Sequence, residues 1–328
     1  MLSALFRSQK PASWVLFYLI AFSLLTQIFF YPFPVSNTSE FISPIEQILF
    51  GKLTNVFVQK LILLLSVLML AHIANKLVFR YKLTRSSSIY PALMLIICGF
   101  LLYPSLHWDP LIIATIFIAL INARLFSIKQ QGSGIRHISN TGLFIGMASL
   151  LYFPLCVFML PVWLTMFLWG HFSFREWLIC ISSFTLPYFL LFTGLLWTNQ
   201  LSYDLLHHFE ITFHWISLQN LSTAQLIRWT VWALLQFVSL LVFALNAGRK
   251  TIETRSNYIT IFWIFAISLF IAVSNAAHFM VFAWLSVFAG SVFISDFLMN
   301  LRIKISQIIF ILLYLLALSS QYLTFVIK

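Results

Sequence analysis

Gly142-Leu-Phe-Ile-Gly-Met-Ala-Ser-Leu-Leu-Tyr-Phe-Pro-Leu-Cys-Val-Phe-Met-Leu-Pro161 is the stretch that decides how this chain folds. With its flanks it is apolar from 141 to 171, and one bilayer crossing needs only about 20 such residues. Pro154 removes a backbone donor in the middle, so the chain either kinks or reverses there. A kink leaves one span and a reversal makes two. Every later loop changes sides with that choice.

Charge separates the two readings. Apolar segments lie near 13–31, 57–75, 89–105, 110–126, 177–197, 227–247, 258–274, 277–297 and 305–326, and a reversal adds 141–154 and 156–171. With eleven spans and the N-terminus inside, the inner segments hold Arg7, Lys10, Lys76, Arg80, Lys82, Arg85, Arg124, Lys129, Arg136, Arg175, Arg249, Lys250, Arg255, Arg302 and Lys304. The outside keeps only Lys52, Lys60, Arg228 and Lys328. A single span would move 248–256 and the Arg302/Lys304 pair outside, against the positive-inside tendency. The expected fold is therefore all-α: a polytopic transmembrane bundle of about eleven helices, N-in and C-out, with short interfacial helices in its external loops.

Composition agrees. The chain is 61% hydrophobic and 8% charged with 36 Phe, which excludes an ordinary soluble domain. Its formal charge of +11 is dispersed over short loops, which fits anionic headgroups as partners and not nucleic acid. The run from Trp14 to Tyr31 lacks a small-residue cleavage site and reads as a retained signal anchor. No inner loop is long enough for a nucleotide-binding domain, and no P-loop or Rossmann glycine pattern occurs. Cys98, Cys156 and Cys180 fall in predicted helices without metal-like spacing, as packing residues do. Trp163, Trp169, Trp177, Trp197, Trp215, Trp229 and Trp284 fall mostly near helix ends, as interface anchors do.

Eight carboxylates remain to be placed. Glu176, Glu253 and Asp296 are inside, beside Arg175, Lys250 or Arg255, and Arg302 respectively. Glu40, Glu46, Asp109, Asp204 and Glu210 are outside, where cations are few. In the first external loop Ser43, Pro44 and Glu46 start a short amphipathic helix carrying Ile45, Ile48, Leu49 and Leu53 on one face. Glu46 is then a helix-dipole partner, whereas Glu40 has no local role and is a candidate general base. Asp109, before Pro110, caps the next helix or joins Glu40 at the outer mouth. Two such acids could deprotonate a hydroxyl or hold a divalent cation beside a phosphate. The 198–226 loop carries Asp204, His207, His208, Glu210 and His214. Interleaved Leu205, Leu206, Phe209, Phe213 and Trp215 make it an interfacial helix, and no metal site is assigned.

This order of features resembles the membrane glycosyltransferases of GT-C architecture, which use polyprenyl-phosphate sugars. A retained first helix leads to a loop with an acid, Glu40, ahead of the 44–53 helix. A brief second external loop, His107-Trp108-Asp109-Pro110-Leu111-Ile112, carries the next acid. Ala123-Arg124 and the Gly142 to Pro161 region match its fourth-to-sixth helices. The resemblance covers 1–175 as an N-terminal module, leaving 176–328 as a C-terminal membrane module. The first-loop acid is Glu where Asp is usual. What the resemblance implies is sugar transfer from a lipid-linked donor on the external face of a bacterial inner membrane. Glu40 and Asp109 would be catalytic, with His107, Arg228, Lys52 and His208 on the substrate. The whole chain is also similar to an uncharacterised family of bacterial inner-membrane proteins. The rival reading is a non-catalytic subunit of an envelope, secretion or glycan-export complex, supported by the few scattered amides Gln27, Gln59, Asn75, Gln236, Asn246 and Asn275. A transporter is third, because the helix centres hold almost no charge.

Overall fold

The computed structural model describes residues 6–7, 10–26, 29, 55–84, 87–103, 111–130, 134–170, 173–197, 208–209, 222–274 and 279–326. They form α1 (Pro11–Leu25), α2 (Val56–Arg80), α3 (Tyr90–Leu102), α4 (Leu111–Gln130), α5 (Ile135–Leu151), α6 (Met159–Leu168), α7 (Phe174–Trp197), α8 (Thr223–Asn246), α9 (Ile252–Ser274), α10 (Phe279–Asn300) and α11 (Ile303–Val326). No strand occurs among the described residues. The fold is all-α, and each apolar segment of the sequence has its helix. Among the described residues α2, α4, α7, α8, α9, α10 and α11 are long and apolar enough to cross a membrane, and α1, α3 and Phe153–Leu168 are shorter apolar helices. The chain is an integral membrane protein.

The decisive stretch is two helices. α5 stops at Leu151, a 3-10 turn runs Phe153–Phe158 with Pro154 in its first turn, and α6 follows. Contacts with α7 fix the directions. Gly142 of α5 meets Cys180, Gly146 meets Phe184, and Ser149 bonds Tyr188, so α5 and α7 run parallel. α6 runs against them, with Met159 at Cys180 and Trp163 stacked on Trp177. Parallel neighbours separated by a single helix require that helix to carry the chain back. The same logic applies to α8, α9 and α10. Gln236 lies at Gly290 and Phe243 at Phe293, so α8 and α10 are parallel, while Trp232–Phe265 and Phe243–Tyr258 set α9 against α8.

One end of the bundle collects the basic segments. Arg7 donates to the carbonyls of Leu298 and Leu301, closing the C-terminus of α10. Tyr81 bonds the Ala123 carbonyl, Tyr258 bonds the Leu83 carbonyl, and Trp169 donates to Ser256. At the opposite end Lys60 reaches the Phe29 carbonyl, Ser23 meets Tyr314 and Tyr152 packs on Phe282.

α3 and α10 form the centre. Every residue of α3 is buried, and α10 is buried along almost its whole length, packed by α2, α3, α4, α8 and α9. Small residues permit this: Gly290 and Ser286, Ser291 and Ser295 let neighbours approach α10 closely. At Gly99 a Cβ would stand 2.3 Å from the Trp284 ring, so the indole occupies the space that glycine leaves. Trp284, expected at an interface, is 1% exposed and fills the core instead. Trp197, at 91% exposed, does sit as an anchor should.

Candidate functional site

α8 begins at a capping box in which Ser222 accepts from the Gln225 backbone and Gln225 accepts from the Ser222 backbone. From there the helix is built inside out. Ile227, Leu234, Phe237, Leu241 and Leu245 are exposed, as lipid-facing residues are. Its fully buried residues are Arg228, Trp232, Gln236 and Ser239, spaced i, i+4, i+8 and i+11 on one face. Polar atoms thus share the inward face of α8 with the apolar Val231, Leu235, Leu240 and Phe243, which pack against the core.

Arg228 is 8% exposed and lies at the end of the bundle opposite the basic cluster. Its Nε has no hydrogen-bond partner, and no carboxylate pairs with it among the described residues. Tyr103, which ends α3, is close enough for its phenol to interact electrostatically with the guanidinium. His107 and Asp109 follow Tyr103 closely in the sequence. One turn deeper Trp232 packs on Phe265 of α9 with its Nε1 unbonded. Gln236 is 3% exposed, and neither end of its amide is bonded. A Cβ at Gly290 would lie 2.7 Å from its Oε1, so glycine there makes room for the amide. Trp284 of α10, its Nε1 also unbonded, packs edge-on against Phe100 with centroids 5.6 Å apart.

The basic end holds a buried ion pair. Lys250 Nζ donates to Asp296 Oδ2 at 2.7 Å and sits 4.1 Å over the Tyr258 ring. Burial lowers the pKa of the Lys250 ammonium, and Asp296 opposes that shift. The partner of Asp296 is thus Lys250, not the nearby Arg302. Sequence proximity favoured Arg302, but the parallel packing of α8 and α10 delivers Lys250 from a distant turn.

His208 is buried in an aromatic box of Phe153, Tyr188 and Phe209. Burial pulls its pKa down to about 4, and the nearby Ser149 backbone works weakly against this. His208 therefore belongs to the α5–α7 seam, whereas Arg228 belongs to the α3–α8–α10 seam. Glu40, Lys52, His107 and Asp109 lie outside the described residues, as do the 44–53 helix and Asp204, His207, Glu210 and His214. Among the described residues no group of His, Cys, Asp and Glu is arranged to hold a metal ion. The reading of isolated residues missed the stripe on α8. Its signal was present as Arg228-x-x-x-Trp232-x-x-x-Gln236-x-x-Ser239 on a mostly apolar helix.

No known protein family, curated protein or solved structure matches the chain.

Proposed function

We propose that this chain is a membrane glycosyltransferase that takes a sugar from a polyprenyl-phosphate donor and gives it to an acceptor hydroxyl at the outer rim. The supporting observation is Arg228, a guanidinium buried at that rim with no carboxylate beside it among the described residues. A buried cation is costly unless an anion accompanies it, and a lipid phosphate arriving from the bilayer is such an anion. Arg presents a planar fork of donors suited to a phosphate.

The reaction follows from those charges. Glu40 accepts the proton of the acceptor hydroxyl, whose oxygen then bonds to the anomeric carbon. The bond from that carbon to the phosphate oxygen breaks, and its electron pair leaves with polyprenyl phosphate. Arg228 meets the charge that grows on the phosphate, where donors fixed beforehand are most effective. Asp109 orients the acceptor, and His107 and Lys52 give further donors. His208, neutral above pH 4, offers one N–H at most. The basic end faces the cytoplasm and the Arg228 end the exterior, as the positive-inside tendency requires.

Membranes carrying Glu40→Gln, Asp109→Asn or Arg228→Gln at normal protein levels test the reading. Transfer of labelled sugar from a polyprenyl-phosphate donor should fall at least 100-fold in the Glu40 variant, consistent with the usual worth of a general base. Undiminished transfer in all three overturns it.

A further inference from the structure

We propose that the α3–α8–α10 seam is a binding slot for the neutral, hydroxyl-bearing part of a lipid-linked headgroup whose phosphate sits at Arg228. The placement rests on the glycosyl-phosphate reading above and adds where the sugar goes. Five buried atoms carry it: Arg228 Nε, Trp232 Nε1, Trp284 Nε1, and Gln236 Nε2 and Oε1, none with a partner. The residues are each more than nine-tenths buried. Unmet polar groups at membrane depth are expensive, and these five lie on helices that pack against one another, which is the ground for giving them a common purpose.

The residues lie at successive depths. Arg228 to Ser239 spans about 16 Å along α8 at the helical rise. Parallel packing puts Gln236 against Gly290, so Trp284, six residues earlier on α10, lies level with Arg228 and Trp232. Charge is found only at the rim, and below it are two indole N–H donors and an amide that both donates and accepts. That is the chemistry of an anion attached to hydroxyls: Gln236 can serve a hydroxyl as donor and acceptor at once, and indole rings pack on sugar C–H faces.

The slot is closed below. One turn past Ser239, Phe243 stacks on Tyr258 at 4.5 Å and meets Phe293 at 5.5 Å, and Lys250 and Asp296 join beneath them. A polar route that stops at an aromatic layer suits a substrate that enters and leaves by the same mouth, not passage across the membrane.

The test uses the full chain in nanodiscs and native mass spectrometry. The probes are a long-chain polyprenyl phosphate, the same lipid bearing one hexose on its phosphate, and phosphatidylglycerol. Wild type should retain the hexosyl lipid several-fold over the bare phosphate. Gln236→Leu and Trp232→Phe should bring that ratio near one while keeping the bare phosphate, and Arg228→Gln should weaken both. Trp232→Phe keeps the ring and decides the matter if Gln236→Leu does not fold. A ratio unchanged in Trp232→Phe and in any folded Gln236→Leu overturns the slot, as does wild type retaining phosphatidylglycerol equally well. Selective binding without any sugar transfer would sink the transferase reading and leave the slot standing. Transfer by wild type with an unselective seam would do the reverse.

Discussion

Two glycines on the central helices separate tolerance from strain. At Gly99 a methyl would meet three atoms of the Trp284 ring within 2.7 Å, and that ring is boxed in by Phe100. Gly99→Ala should cost about 1–3 kcal/mol, as overpacking does, with a lower melting temperature in detergent as the readout. At Gly290 the added methyl meets the far end of a flexible glutamine, so Gly290→Ala should cost less and act mainly on Gln236. His208 gives a pH dependence. Its folded pKa of about 4 lies below the ordinary value of about 6.5, so the fold prefers the neutral ring. The stability it contributes is complete above pH 6.5 and is lost as pH falls toward 4. Melting curves across that range should show the loss, and His208→Phe should flatten it. None of this was legible in the sequence, because an isolated His or Trp carries no sign of whether its ring meets lipid, water or another helix.

At the level of elements, the α5–α7 pair depends on close backbone approach. A Cβ at Gly142 or Gly146 would stand 2.4 Å from the Cys180 or Phe184 carbonyl, so Gly142→Leu should part the two helices. Crosslinking between cysteines placed at Ser139 and Ser183, whose hydroxyls are 2.9 Å apart, should vanish in that variant. The Gly142-x-x-x-Gly146 spacing is of the kind that permits such a contact, but it does not identify the partner. The Lys250–Asp296 bridge makes a second prediction. Lys250→Met alone strands a buried carboxylate and should cost about 3 kcal/mol or more, whereas adding Asp296→Leu should recover most of the loss. Helix existence was readable throughout from apolar length. Helix ends were less so: α8 starts at Thr223 because Ser222 and Gln225 cap one another, a signal that hydropathy does not register.

For the whole molecule, the alternation of helices was legible because charge, unlike packing, accumulates along a sequence. Pro154 could have kinked one helix, and only the distribution of Lys and Arg around it argued for the reversal that α5, α6 and α7 display. Orientation in the bilayer is testable at the two ends of α8. Thr223 and Gly248 are both exposed, and a Cβ at Gly248 meets open space. On intact cells a membrane-impermeant maleimide should label Thr223→Cys, and should reach Gly248→Cys only after permeabilisation. The candidate site was half legible: Arg228 was one of four outer cations, but its neighbours on α8 gain meaning only once the helix is seen to turn them inward. The attachment of α7 has a consequence of its own. Lipid tails are as apolar as the helix they surround, so expulsion of water does nothing to press α7 onto α5. Contact alone holds it, chiefly along the small-residue face of α5. Short-chain detergents, which slip into such grooves, should peel α7 away while the α3–α10 centre stays assembled.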